Sequence, residues 1–361
     1  RAAARALAHF PDRRAVAALV EALRTETDDR TRLRIVETLR ALTPGPCLLD
    51  AAEWTAWWSK NEGDPRFQPA DEAARREAYE GIELETRTVA AVKSPRSKPR
   101  TFPHVLALPQ FGWTTEEFGP YLLPLRANAA ITWVRLPTVQ SLTGRSGFGG
   151  DVPEYPVDRL VQALDAFRAA RKVERFLVLA HGASGWIAMR YAQLHPGRCA
   201  ALVLVDTALD RDAYAEALRR GAARGDEAER FAAKTLLHEN NVPLDEATLE
   251  RLQAMGVERC YHDRADLEIA HLFRFAREPQ GFASVPPIRF AGRTTLELPA
   301  LFVYSAGTPF SGHFDFERIS RHFPRSMVAP IAEARGMPFV EANGKFHRVL
   351  ESFAARFQLA E

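Results

Sequence analysis

Cysteine is scarce in this chain of 361 residues. Cys47, Cys199 and Cys260 lie far apart and form no CxxC, which argues against a disulfide framework and against a cysteine zinc site. No apolar run approaches the roughly 20 residues that a membrane span needs. Neither sign of charge dominates: 48 Lys and Arg stand against 46 Asp and Glu, a formal charge of +2. That balance gives no reason to expect a nucleic-acid or membrane surface. The one basic cluster, Lys93 to Arg100 (KSPRSKPR), holds two prolines and reads as a solvated loop. His238, His262, His271 and His313 fall into no HxxxH or HExxH spacing, so no metal site is expected. The glycine-rich stretch Gly144 to Gly150 (GRSGFGG) lacks the strand–turn–helix context and the lysine of a phosphate loop. No cofactor is expected.

What is present is ordinary for a globular protein, with 46% hydrophobic and 26% charged residues. The length suits one large domain and a smaller one. Residues 1–68 read as wholly helical. Leu7 and Phe10 close a first short helix. Val16, Leu19, Val20 and Leu23 recur at helical spacing, as do Leu33, Val36, Leu39 and Leu42. Pro11-Asp12, Asp28-Asp29 and Asp50 stand where helices would begin, each with a carboxylate for the first amides. The last of these helices carries Trp54, Trp57 and Trp58, read as a core plug. Arg1 falls inside the helical pattern, so further helices are expected upstream, and the compartment cannot be read from such a start.

Pro65 to Pro69 marks a boundary, and residues 69–361 alternate strands with helices. Gly81 to Val92 reads as a strand or hairpin, and His104 to Leu108, Ala130 to Leu136, Phe176 to Ala180, Ala201 to Asp206, Ala300 to Ser305 and Ser326 to Ala332 as strands. Phe118 to Arg126, Val157 to Ala170 and Gly185 to Leu194 read as helices. Short apolar runs separated by helices imply a mostly parallel, doubly wound α/β sheet. Between about 208 and 297 the order breaks into a charged, helix-forming insertion.

Two segments carry resemblances. AARALAHFPDRRAVAALVEALR followed by DDRTRLRIVETLRAL resembles the short bacterial HEAT-type repeat, a helix pair that buries its apolar face only by stacking. A plain helical bundle packed on the main domain is the alternative. FLVLAHGASGWIAMRYAQLHPGRCAALVLVDTAL, residues 176–209, resembles the nucleophile-elbow region of the α/β-hydrolases, where a buried strand ends in a Gly-x-Ser-x-Gly turn and a helix follows. HVLALPQFGWTTEEFGPYLLPL from His104 resembles their oxyanion strand. LPALFVYSAGTPF from Leu298 is similar to their acid strand, and MPFVEANGKFHRVLESFAARF from Met337 to the segment after their histidine. This resemblance implies an α/β-hydrolase-like sheet over 69–361, with the insertion at 208–297 in the place of a helical cap.

It also implies where a triad should stand. The register puts Gly182 on the nucleophile, Thr308 on the acid and Gly336, or Met337 with a slip of one, on the histidine. Glycine can form no covalent intermediate, and no histidine occurs from Arg325 to Phe346; His347 would fall two turns late. Ser184 is the one substitute nucleophile, although it would put Trp186 where the turn needs glycine. Asp206 is the substitute acid, although a strand-end aspartate there also has a structural reading. The oxyanion loop reads Pro109-Gln110, and the Gln110 backbone amide remains as a donor.

Three functions compete. The first is a non-catalytic binding or assembly component, with the helical repeats (1–68) as the protein-binding arm. The second is a small-molecule receptor in the old cleft, lined by Gln110, Phe111, Trp113, His181 and Gly182. The third is an atypical serine hydrolase or esterase using Ser184, or Tyr304 with His181.

Overall fold

The computed structural model describes residues 13–43, 46, 49–63, 74–91, 103–110, 117–127, 129–137, 156–209, 213, 219, 295–306, 316–332, 334 and 336–359. The basic segment at 93–100, the glycine-rich segment at 144–150, nearly all of the insertion at 208–297, and Phe111, Trp113, Thr308, His238, His262, His271 and His313 lie outside them.

Three helices come first: α1 (Arg13–Thr25), α2 (Asp29–Leu42) and α3 (Ala51–Asn61). The capping carboxylates act as their positions demand. Asp28 accepts from the Thr31 amide at 2.9 Å, and Asp50 from the Ala52 amide at 2.7 Å, each satisfying a donor that the first helical turn leaves unpaired. The helices share a core of Val16, Leu19, Val20, Leu23, Ile35, Val36, Leu39, Trp54 and Trp58. Trp54 is fully buried within it, as a core plug should be, with Trp57 edge-on at 5.7 Å. One expectation fails here. Leu33 is 49% exposed, and Ile35 fills the core in its stead. Leu33 sits one turn short of Val36, but the buried stripe of α2 runs through Ile35, Val36 and Leu39.

The rest is one eight-stranded sheet: β1 (Arg75–Tyr79), β2 (Ile82–Val89), β3 (His104–Leu108), β4 (Ile131–Arg135), β5 (Phe176–His181), β6 (Cys199–Val205), β7 (Ala300–Ser305) and β8 (Ser326–Ile331). Their order is β1-β2-β4-β3-β5-β6-β7-β8. β1 and β2 pair antiparallel and β2 joins β4 antiparallel; every later pairing is parallel. The hairpin partner of β2 lies upstream, at Arg75–Tyr79, and the tight turn between them uses Glu80 and Gly81 at φ +48° and +73°. A two-residue turn with both residues left-handed matches the twist of the flanking strands.

Helices cover both faces, as a parallel sheet requires. α4 (Val157–Ala170), α5 (Ser184–Leu194) and α6 (Phe316–His322) lie in sequence between strands, and α7 (Pro338–Glu341) and α8 (Asn343–Phe357) follow β8. The central strands alternate strictly: Phe176, Val178 and Ala180 of β5 face the core holding α4 and α5, while Leu177 and Leu179 face the core holding α8. Burial on both sides explains why these strands read as unbroken apolar runs. Phe118 to Arg126 is helical as expected, but as a 3-10 helix over Gly119–Ala127 with Pro124 inside it, since proline cannot supply the amide of an α turn.

Gly185 tests the fit of α5 against β6. A Cβ there would lie 2.3 Å from the Thr207 side chain, whereas one on Gly197 would meet nothing within 4 Å. Overpacking a tight core typically costs about 1–3 kcal/mol. Gly185→Ala is therefore expected to destabilise the protein by at least that much in denaturant unfolding, and Gly197→Ala by less than about 0.5 kcal/mol. Equal effects would mean that α5 is not seated on β6 as described.

Candidate functional site

β3, β5, β6 and β7 end together, and their carboxyl ends carry Pro109-Gln110, Gly182, Asp206 and Ser305. This edge is where open α/β sheets hold their ligands. The turn after β5 is sharp. Gly182 has φ +55°, its amide donates to Val205 O at 2.9 Å, and its carbonyl accepts from the Gly185 amide at 3.1 Å and from Thr207 Oγ1 at 2.9 Å. The left-handed residue of this turn is Gly182 and not Ser184.

Among the described residues at this apex, the two candidate hydroxyls both have hydrogen-bond partners. Ser184 is fully buried in the first turn of α5, and its hydroxyl donates to Pro109 O at 2.5 Å. Tyr304 is buried too; its hydroxyl donates to Thr207 O at 3.4 Å, and burial and the Asp206 carboxylate push its pKa well above the ordinary value.

The centre of the site is a pair that the sequence did not announce. His181, the last residue of β5, meets Glu117 through Nδ1. Its Nε2 lies 3.0 Å from Gly336 O. A carbonyl only accepts, so Nε2 carries a proton and donates it, and no lone pair remains there to serve as a base. Burial opposes a charge on His181, but the Glu117 carboxylate, its hydrogen bond, Asp206 and Gly336 O together outweigh it and raise the pKa. Phe339 closes the ring edge-on at 5.4 Å.

Glu117 is spent in the same way. One carboxylate oxygen faces His181, and the other accepts from the Gln110 amide at 2.5 Å. This corrects the expectation for Gln110: its backbone amide is turned into Glu117 and is not left for an oxyanion. The Gln110 side chain crosses the elbow instead. A Cβ on Gly182 would lie 3.2 Å from Gln110 Oε1 and 3.3 Å from Cδ and Cγ.

Asp206, left-handed at φ +44°, accepts from Ser305 N at 2.7 Å and Ser305 Oγ at 2.5 Å. Burial raises its pKa, against the pull of His181 and the two Ser305 bonds. It ties β6 to β7, as its structural reading holds. Gly336, at φ +149°, stands in the loop expected to bear the histidine. His347 lies on α8 with Nε2 2.8 Å from Tyr121 O, and burial lowers its pKa. The structure thus brings Gln110, His181, Gly182 and Gly336 together and leaves Ser184 packed beneath them. Among the described residues, no group of three or more His, Cys, Asp or Glu could hold a metal ion.

Comparisons with known proteins bear on this geometry. An epoxide hydrolase from Bacillus megaterium, solved with an inhibitor, matches with TM-score 0.53 and 13% identity over 78% of this chain and 100% of its own. An enol-lactonase from Burkholderia xenovorans LB400 matches with TM-score 0.51 and 14% identity over 78% of this chain and 100% of its own. VinJ matches with TM-score 0.54 and 13% identity over 80% of this chain and 100% of its own. The chain has the α/β-hydrolase fold. At such identities the likeness is one of fold alone, and fold does not carry function. The PBS lyase HEAT-like repeat matches residues 1–25, which accords with the repeat seen in the N-terminal sequence. A search of curated proteins found no match.

The raised pKa of His181 has a signed consequence. A group whose folded pKa exceeds the unfolded one stabilises fully below the unfolded pKa, and that stability is lost as pH rises through the folded value. Removing one partner of a buried pair typically costs about 3–5 kcal/mol. His181→Gln is expected to lose an amount of that order near pH 6, measured by denaturant unfolding, and the difference from wild type should shrink as pH rises. A difference that is flat or grows toward alkaline pH would contradict a charged His181.

Proposed function

We propose that this protein is a non-catalytic relative of the hydrolases, acting as a binding or assembly component of a larger complex. In this reading residues 69–361 form the platform and residues 1–68 the arm that meets a protein partner. The observation that carries it is Gly182 at the apex of the elbow. Acyl transfer needs a side-chain nucleophile there, a base beside it and an acid to orient the base. The apex has no side chain, and the histidine nearest in sequence donates from Nε2 to a backbone carbonyl. Loss of the members of such a unit lowers turnover by about a million-fold in subtilisin.

The helical arm supports the other half. Its nine-residue core is its own, distinct from the two cores that flank the sheet. Stacked helix pairs of this kind present extended surfaces for protein recognition. No helix among the described residues is long and apolar enough to cross a membrane. The receptor reading is weakened by the Gln110 side chain lying on the elbow, and the esterase reading by the buried bonds of Ser184 and Tyr304.

Two measurements on the intact chain test the proposal. Hydrolysis of p-nitrophenyl butyrate is expected to match the blank. The protein purified from its native cells is expected to co-elute with a partner, and Leu33→Glu with Leu49→Glu, two exposed positions at the N-terminal helices, to abolish co-elution without moving the unfolding midpoint. Ester turnover, or a chain that always elutes at its own mass, would defeat the proposal.

A further inference from the structure

We propose that the outward face of α8 is a docking surface for an acidic segment of a partner protein. Lys345, Arg348, Ser352 and Arg356 follow one another at spacings of three or four residues, and all are exposed. They therefore form one stripe along the helix, about 16 Å from end to end. The opposite side buries Phe346, Leu350, Phe353 and Ala354. Glu351, the only acid in α8, stands about 100° round from Ser352 and so off the stripe. Arg325, just ahead of β8, joins the far end. Its guanidinium lies over the Phe357 ring at 5.6 Å, and that of Arg356 over the same ring at 5.5 Å. Phe353 holds that ring edge-on at 5.2 Å, and the Ala300 amide fixes the Arg325 carbonyl at 3.1 Å. Among the described residues, none of Arg325, Arg348 and Arg356 meets a carboxylate.

The chemistry of the occupant follows from this arrangement. A guanidinium laid on a ring keeps its N–H edge for a planar acceptor, and a carboxylate matches that fork. A cation in the last turn of a helix is favourable by itself, which accounts for Arg356 but not for Lys345, Arg348 or Arg325. The stripe is one helix wide and the formal charge of the chain only +2, so it offers no broad field to a nucleic-acid backbone. No large apolar side chain of α8 is exposed to enter a membrane surface. An extended acidic stretch of about five residues would span the stripe. This face goes beyond the assembly reading, since it lies off the helical arm and needs no loss of catalysis. Ester turnover would overturn that reading and leave this one to its own test.

The test uses the full chain with fluorescein-labelled octaglutamate as probe, read by fluorescence anisotropy at low ionic strength. Saturable binding is expected, weakening as salt is added. Arg348→Glu with Arg356→Glu is expected to raise Kd by about tenfold. The same change of charge at exposed positions of the N-terminal helices, Arg30→Glu with Lys60→Glu, is expected to raise it by less than about twofold. Arg325→Lys with Arg356→Lys keeps the charge but loses the fork, and is expected to raise Kd by about threefold. If the charge reversal shifts the unfolding midpoint, this milder variant decides. Absence of saturable binding overturns the proposal, and so does equal weakening by the two charge reversals or wild-type binding by the lysine variant. Tighter binding of random-sequence duplex DNA or phosphatidylserine vesicles, lost in Arg348→Glu with Arg356→Glu, would give the face to another class and overturn it too.

Discussion

The buried contact between Glu117 and His181 is the constraint on which the carboxyl ends of β3 and β5 depend. A bare carboxylate in such surroundings is costly, and so is a bare imidazolium. Paired, they join four pieces of backbone: the end of β3 at Gln110, Glu117 just ahead of the 3-10 helix, the end of β5 and the loop at Gly336. Gln110, Glu117, His181 and Gly336 are thus bonded to one another at the carboxyl edge of the sheet.

The two layers of the molecule therefore answer to different physics. The sheet is specified redundantly: each central strand is apolar on both faces, so no single residue decides its place. The site is specified by a few contacts, each of which needs its partner. A Cβ on Gly185 would overlap the Thr207 side chain, and one on Gly182 would press on that of Gln110. A fold built the first way tolerates change at single positions more readily than a site built the second way.

That difference also decides what could be read in advance. α4 was legible to its end residues, because a fourteen-residue amphipathic period leaves little freedom. The caps at Asp28 and Asp50 and the elbow at Gly182 were legible because each is a local matter of one turn. β1 was not, since Arg75–Tyr79 is a charged edge strand with no apolar face to announce it. Leu33 misled because a heptad-like spacing fits two neighbouring stripes of a helix, and only the packing of α1 and α3 chooses between them. Glu117 was invisible for a deeper reason. It meets His181 across 64 residues of sequence, and nothing in the order TTEEFG tells which carboxylate turns inward. The Gln110 amide reads as a free donor for the same reason: its acceptor, Glu117, lies in a segment whose inward turn the sequence does not mark. Phe111, Trp113 and Thr308 lie outside the described residues.

The account rests on the absence of an activated serine at the elbow, and a covalent probe examines that most directly. A fluorophosphonate phosphorylates a serine only when a base has sharpened its hydroxyl. After incubation of the native full-length protein with excess probe, intact-mass spectrometry is predicted to show the unmodified chain. A stoichiometric adduct mapping to Ser184 would show a working nucleophile beside Gly182 and would contradict the account at its centre.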